Sequence, residues 1–135
     1  MLPNSTAEIE ATVSGAIGDL LGAVYRKVGR VTVATGPALI SQWPTASITD
    51  ATISGLAVFV NRVNRYLVED LHDQPAVAGE WQLYLVQYRG SAHLDEATRR
   101  LLQAFPLSRA VPLGDLDEDG NTLGQVSLTV RGAMT

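Results

Sequence analysis

The chain has 135 residues, which fits one domain (1–135) able to bury about two-thirds of the surface its unfolded form exposes. It has no cysteine, which excludes a disulfide frame, a thiolate metal site and a cysteine nucleophile; only 18% of its residues are charged, below the roughly 25% of an average soluble protein, so uncharged surface is left for partners to cover. A net charge of −4, with no basic cluster beyond the pairs Arg26-Lys27 and Arg99-Arg100, argues against gripping a phosphate backbone.

The start, Met1-Leu2-Pro3-Asn4, has no basic region, so a secretory signal is not expected. No run approaches the ~20 apolar residues that span a bilayer, so no membrane partner is expected. Ser5 and Glu8 have capping-box spacing and open a helix. Ile9, Val13, Ala16, Ile17, Leu20, Leu21 and Val24 continue at helical spacing, which predicts a helix to about Arg26, with Arg26 and Lys27 suiting its negative end. The opposite face of that helix carries Ala11, Gly15, Gly18 and Gly22, where a solvated face would carry Glu and Lys. Glycine inside a helix costs about 1 kcal/mol relative to Ala. Small residues let another backbone approach, so these four are the candidate subunit interface; the partner could equally be this domain's own sheet.

Val31 and Val33 alternate with Arg30 and Thr32, reading as a short strand broken at Gly36-Pro37. Ala38 to Trp43 suggests a second short strand stopped by Pro44, and Thr45–Ser54 lacks a clear period. Leu56–Val60 is a compact apolar run that reads as a strand buried on both faces, although periodicity alone does not separate it from a helix. Asn61 to Tyr66 could extend it, and Asp70 to Gly79, with Pro75, reads as a polar loop. Trp81–Tyr88 alternates most regularly: Trp81, Leu83, Leu85 and Gln87 share one face, Gln82, Tyr84, Val86 and Tyr88 the other. Ser91 can cap a second helix lined by Leu94, Ala97, Leu101 and Phe105 and stopped by Pro106. A hairpin closes the chain. Leu107–Leu116 leads in, with Pro112 pointing to an edge strand; Asp117–Asn121 has turn chemistry, and Val126, Leu128 and Val130 alternate with polar residues. Strands in runs between helices predict an α+β fold with a mainly antiparallel sheet packed with two helices.

Chemistry is sparse. His72 sits among Glu69, Asp70 and Asp73, a spacing that matches no ligand pattern and reads as a solvated loop. Gly90-Ser91-Ala92-His93 lacks the strained elbow of a serine nucleophile. The glycines of 15–22 fall within a helical period, not between a strand and a helix N-terminus, so they do not form a phosphate loop. Asp115, Asp117, Asp119 and Gly120 match the opening of a calcium loop, but Val126 stands where the bidentate Glu belongs; a solvated hairpin tip is the simpler reading. Neither a catalytic set, a resident metal nor a cofactor is therefore expected.

In order, these elements resemble the tail terminator proteins of long-tailed bacteriophages and related head–tail joining (neck) proteins. The resemblance runs through the opening helix Ala7–Tyr25, the segment Pro37-Ala38-Leu39-Ile40, the strand Leu56–Val60, the strand Trp81–Tyr88 that begins on an aromatic residue, the helix Ala92–Phe105 and the closing hairpin Leu113–Arg131. It is one of layout, without a signature motif or catalytic residues to carry over. It implies a virion structural protein, not an enzyme, assembled in the host cytoplasm. Such subunits form a homo-oligomeric ring, usually a hexamer, that caps the tail tube, meets tube, sheath or neck connector subunits, and passes DNA through its lumen without specific binding. A ring needs different patches of one subunit to meet on its neighbour. The alternatives kept open are another neck connector or tube-type subunit, a small ligand-binding α+β domain, and a small metal-dependent enzyme using Asp115–Asp119 or His72.

Overall fold

The Ser5 hydroxyl accepts a hydrogen bond from the Glu8 amide at 3.2 Å and so opens α1 (Thr6–Ile17) as the capping box predicts. This is the first element of a computed structural model that describes residues 5–40, 51–71, 74–88, 91–106, 108–113 and 122–134. Ile9, Val13 and Ile17 point inward and are fully buried. The helix ends at Ile17, not near Arg26: amides of Leu20 and Leu21 fold back on the Ile17 carbonyl, and Ala23–Val28 forms strand β1. Two poor helix formers, Gly18 and Gly22, bracket the break, and β-branched or aromatic Val24, Tyr25 and Val28 gain more from ladder pairing. Leu20 and Leu21 still pack on the core, which is why the apolar spacing outruns the helix.

β1 pairs antiparallel with β2 (Val31–Pro37) through a two-residue turn whose Gly29 has φ +65°, and on its other side with β4 (Ala51–Ser54). This three-stranded sheet has the order β2-β1-β4. The part of the unpatterned 45–54 stretch that is described, 51–54, is therefore a strand. The expected strand at 38–43 is represented by β3 (Leu39–Ile40), parallel to β5 (Leu56–Leu71); 41–43 lie outside the described residues.

β5 and β6 (Gln74–Tyr88) form a long antiparallel hairpin that pairs from Leu56↔Gln87 out to Leu71↔Gln74. The expected loop at 70–79 is thus largely strand; 72–73 lie outside the described residues. Ladder bonds join backbone groups and do not depend on side-chain polarity, so a polar stretch adjacent to its partner in the chain still pairs. After β6 come α2 (Leu94–Ala104), then β7 (Arg109–Pro112) and β8 (Thr122–Met134). The second sheet has the order β3-β5-β6-β8-β7, with β7 at the edge where Pro112 predicts it.

The two sheets and two helices form the α+β architecture the pattern predicts, mainly antiparallel. Both helices cover one face of the five-stranded sheet. Ile9, Val13 and Ile17 of α1 and Ala97 and Leu101 of α2 meet Leu56, Val58 and Val60, Trp81, Leu83 and Leu85, and Val126, Leu128 and Val130. Trp81 also donates its indole N–H to the Thr6 hydroxyl at 3.1 Å, tying the sheet to the first turn of α1. On the opposite face, Ala57, Phe59 and Val86 pack with Ala38 and with the partly buried Val24 and Ile53 of the small sheet. The five-stranded sheet is therefore enclosed on one side by helices and in part on the other by β1 and β4.

Candidate functional site

Among the described residues the chain joins the small sheet to the rest of the fold at three points, each marked by a small residue: Gly22 between α1 and β1, Ala38 between β2 and β3, and Gly55 between β4 and β5. Backbone hydrogen bonds relay across them, from Gly22 to Leu56, from Ala38 to Gly22 and from Val58 to Ala38, each amide donating to the following carbonyl at 2.8–3.0 Å. Gly55 has φ +85°, a conformation glycine adopts without steric cost. A Cβ on Gly22 would meet the Ser54 carbonyl and stand 2.9 Å from Gly55 Cα. The absence of a side chain at Gly22 therefore serves close approach within the chain.

Beside this junction lies an open groove of about 300 Å³, lined by Asp19, Tyr25, Ser54, Ser91 and His93 among others. Gln87 holds two of the lining residues, Ser91 and His93, from behind. This side chain occupies an apolar face position on β6 and is 2% exposed, yet its amide is fully used: Nε2 donates to the Tyr88 carbonyl and the Ser91 hydroxyl, and Oε1 accepts the His93 amide at 3.0 Å. Gln87 thereby fixes the approach to α2. Ser91, expected to cap that helix, instead accepts from Gln87; His93 occupies the N-cap position without a side-chain cap. The other wall is held by Arg100, which grips Asp19 with two hydrogen bonds at 2.9 and 3.1 Å and reaches the Ala16 carbonyl. Hydrogen bonds from Arg99 and then Arg100 hold the Glu96 carboxyl down at about 2.

Of the four small residues expected on one face of the first helix, Ala11 and Gly15 lie on α1 and are exposed, and Gly18 is its exposed C-cap. Gly22 is off the helix and does not share that face. A side chain at Gly15 would meet nothing within 4 Å, whereas one at Gly18 would press on the Ser14 carbonyl. His72, Asp73 and the segment Asp115–Asn121 lie outside the described residues. Among the described residues no group of three or more His, Asp or Glu side chains is placed to hold a metal ion.

What the sequence reading passed over is the exposure of β2, which among the described residues pairs with β1 alone. Val31, Thr32, Val33 and Ala34 are all exposed, Val31 at 63% and Val33 at 43%. The available signal was a strand, Val31–Pro37, without a single charged residue. The chain matches no protein-family model, and no curated protein matches it by sequence.

Proposed function

We propose that this chain is a ring-forming structural subunit of a virion, a tail terminator that caps the tail tube and joins tail to head. The observation that carries the assembly reading is the exposed face of small residues on α1 and its cap, Ala11, Gly15 and Gly18, where a solvated helix normally carries charges. The order of opening helix, apolar strand, Trp81–Tyr88 strand, second helix and closing strand pair supports the terminator form of that reading. Layout alone does not establish function. The exposed small face of α1, now Ala11, Gly15 and Gly18, remains the proposed contact with the next subunit.

Native mass spectrometry and negative-stain microscopy of the purified protein test the reading, with closed rings of one stoichiometry expected. Gly15→Arg, whose Cβ would have no heavy atom within 4 Å in the subunit, should keep the fold and abolish the ring. A wild-type protein that stays monomeric at every concentration overturns the proposal. Deleting the gene in the parent phage separates a terminator from other tail parts: unjoined heads and tails, or tails of uncontrolled length, support it. Joined particles lacking only a baseplate would place the subunit at the other end.

The groove favours a second reading, a ligand-binding domain, because Tyr25, Ser54, Ser91 and His93 converge on a space near the lower limit of small-molecule sites. Ring formation that is indifferent to substitutions at Ser54 and His93 would count against that rival.

A further inference from the structure

The groove beside the Gly22–Gly55 junction selects by charge. Among the described residues that line it, Asp19 is the one acidic side chain, and no lysine or arginine is present. Arg100 Nη1 donates to both Asp19 carboxylate oxygens, at 2.9 and 3.1 Å, which offsets the charge while each oxygen keeps a further lone pair. That guanidinium also meets Glu96 at 3.0 Å, so one positive charge already faces two carboxylates. An anionic ligand would approach Asp19 without a cation of its own, and a cationic one would compete with Arg100 for a paired carboxylate. The other polar side chains are hydroxyls and an imidazole. Ser91 Oγ accepts the Gln87 amide at 3.0 Å, which leaves its own hydrogen to donate elsewhere. Among the described residues the Tyr25 hydroxyl and the His93 ring have no hydrogen-bond partner; only the His93 backbone amide is engaged, by Gln87 Oε1.

We propose that this groove binds a small, neutral, polyhydroxylated ring, a single monosaccharide unit. Such a ring carries adjacent hydroxyls, each of which both donates and accepts. Asp19 offers acceptors only, Ser91 a donor, and the Tyr25 hydroxyl and a neutral His93 ring one of each, so donors and acceptors on the two sides match without a charge on the ligand. Carbon faces of the ring find the Tyr25 ring and the side chains of Leu20 and Leu21, which share the lining. A space of about 300 Å³ lies at the lower end of small-molecule sites and suits one ring rather than several. A groove open to solvent leaves part of the ligand in water, and the few contacts set an affinity in the millimolar range. The proposal rests on the ligand-binding reading of the groove and adds the class of ligand to it.

Titration of the isotope-labelled full chain, followed by amide chemical shifts, tests this. The probes are D-glucose, D-galactose and N-acetyl-D-glucosamine, with sodium acetate and ethylammonium chloride as charged counterparts. At least one sugar should shift the amides of Gly22, Gly55, Ser91 and His93 saturably, and neither charged probe should. Tyr25→Phe removes a hydroxyl without breaking a hydrogen bond among the described residues, and should weaken that sugar roughly 3- to 10-fold, the worth of one hydrogen bond. His93→Ala should weaken it by a similar factor, and Val111→Ala, on the β7 edge, should leave it unchanged. Saturable shifts from acetate or ethylammonium but from no sugar would keep a ligand site in the groove and overturn its assignment to sugars. Saturable shifts from none of the five probes would overturn the ligand-binding reading together with the proposal. Sugar affinity unchanged in both Tyr25→Phe and His93→Ala would show that the sugar binds elsewhere and overturn the proposal as well.

Discussion

The two sheets solve the same backbone problem with different amounts of cover. In the five-stranded sheet, Leu56 to Val60 are fully buried without a break, because α1 and α2 close one face and the small sheet the other. Among the described side chains of the three-stranded sheet, Val24 and Ile53 touch the Phe59 cluster, whereas Val31 to Ala34 of β2 are exposed. The difference teaches where stability resides. The large sheet has enough apolar contact to specify one fold, whereas the small one satisfies its backbone and leaves its valines unspent.

The sharpest break in that contrast is Trp81→Ala. It removes the largest buried side chain and the Thr6 hydrogen bond together, and should cost about 3–5 kcal/mol in urea unfolding. A loss below about 1 kcal/mol would mean that the large sheet is not the stabilising element. Gly55→Ala probes the seam between the sheets. With φ +85° and Gly22 Cα 3.0 Å from the added carbon, the expected loss is about 1–3 kcal/mol by the same measurement. Gly15→Ala is its counterpart with the opposite sign: an open helical position should gain about 0.5–1 kcal/mol. The smallest effect lies on α2. Glu96 has its carboxyl lowered from 4.5 to about 2 in the folded chain, so its contribution is complete above pH 4.5 and fades as the pH falls through that window. Since Glu96 is partly exposed to solvent, Glu96→Gln should flatten the acid limb of the urea midpoint only slightly, and an unchanged slope would show that the Arg99 and Arg100 contacts are not kept in solution.

Much of the large sheet was legible from the chain. The alternation of Trp81–Tyr88, the apolar block at Leu56–Val60, the stripe Leu94-Ala97-Leu101-Phe105 and the edge position of Pro112 each report a burial pattern that local chemistry enforces. The small sheet was less legible. Leu20, Leu21 and Val24 keep helical spacing because they still meet a core, so a period computed from hydrophobicity continues through a change of backbone. Gly22 looked like part of a helix face because its true neighbour, Gly55, is distant in sequence. Gln87 could be placed on the core face but not explained: its role depends on where the Ser91 hydroxyl and the His93 amide fall. The lack of charge over Val31–Pro37 marks that strand in the sequence, but it reads alike whether or not anything covers Val31 and Val33.

The threefold crossing at Gly22, Ala38 and Gly55 also determines how the molecule bears load. A hairpin pulled from its open end parts one bond at a time, but here the described links of the small sheet are cross-tied by the Gly22–Leu56, Ala38–Gly22 and Val58–Ala38 bonds. Tension applied to β2 divides among these ties, which must shear together. In an optical trap, with the pull directed between β2 and β8, the small sheet should therefore hold until a single abrupt rip rather than peel away in steps.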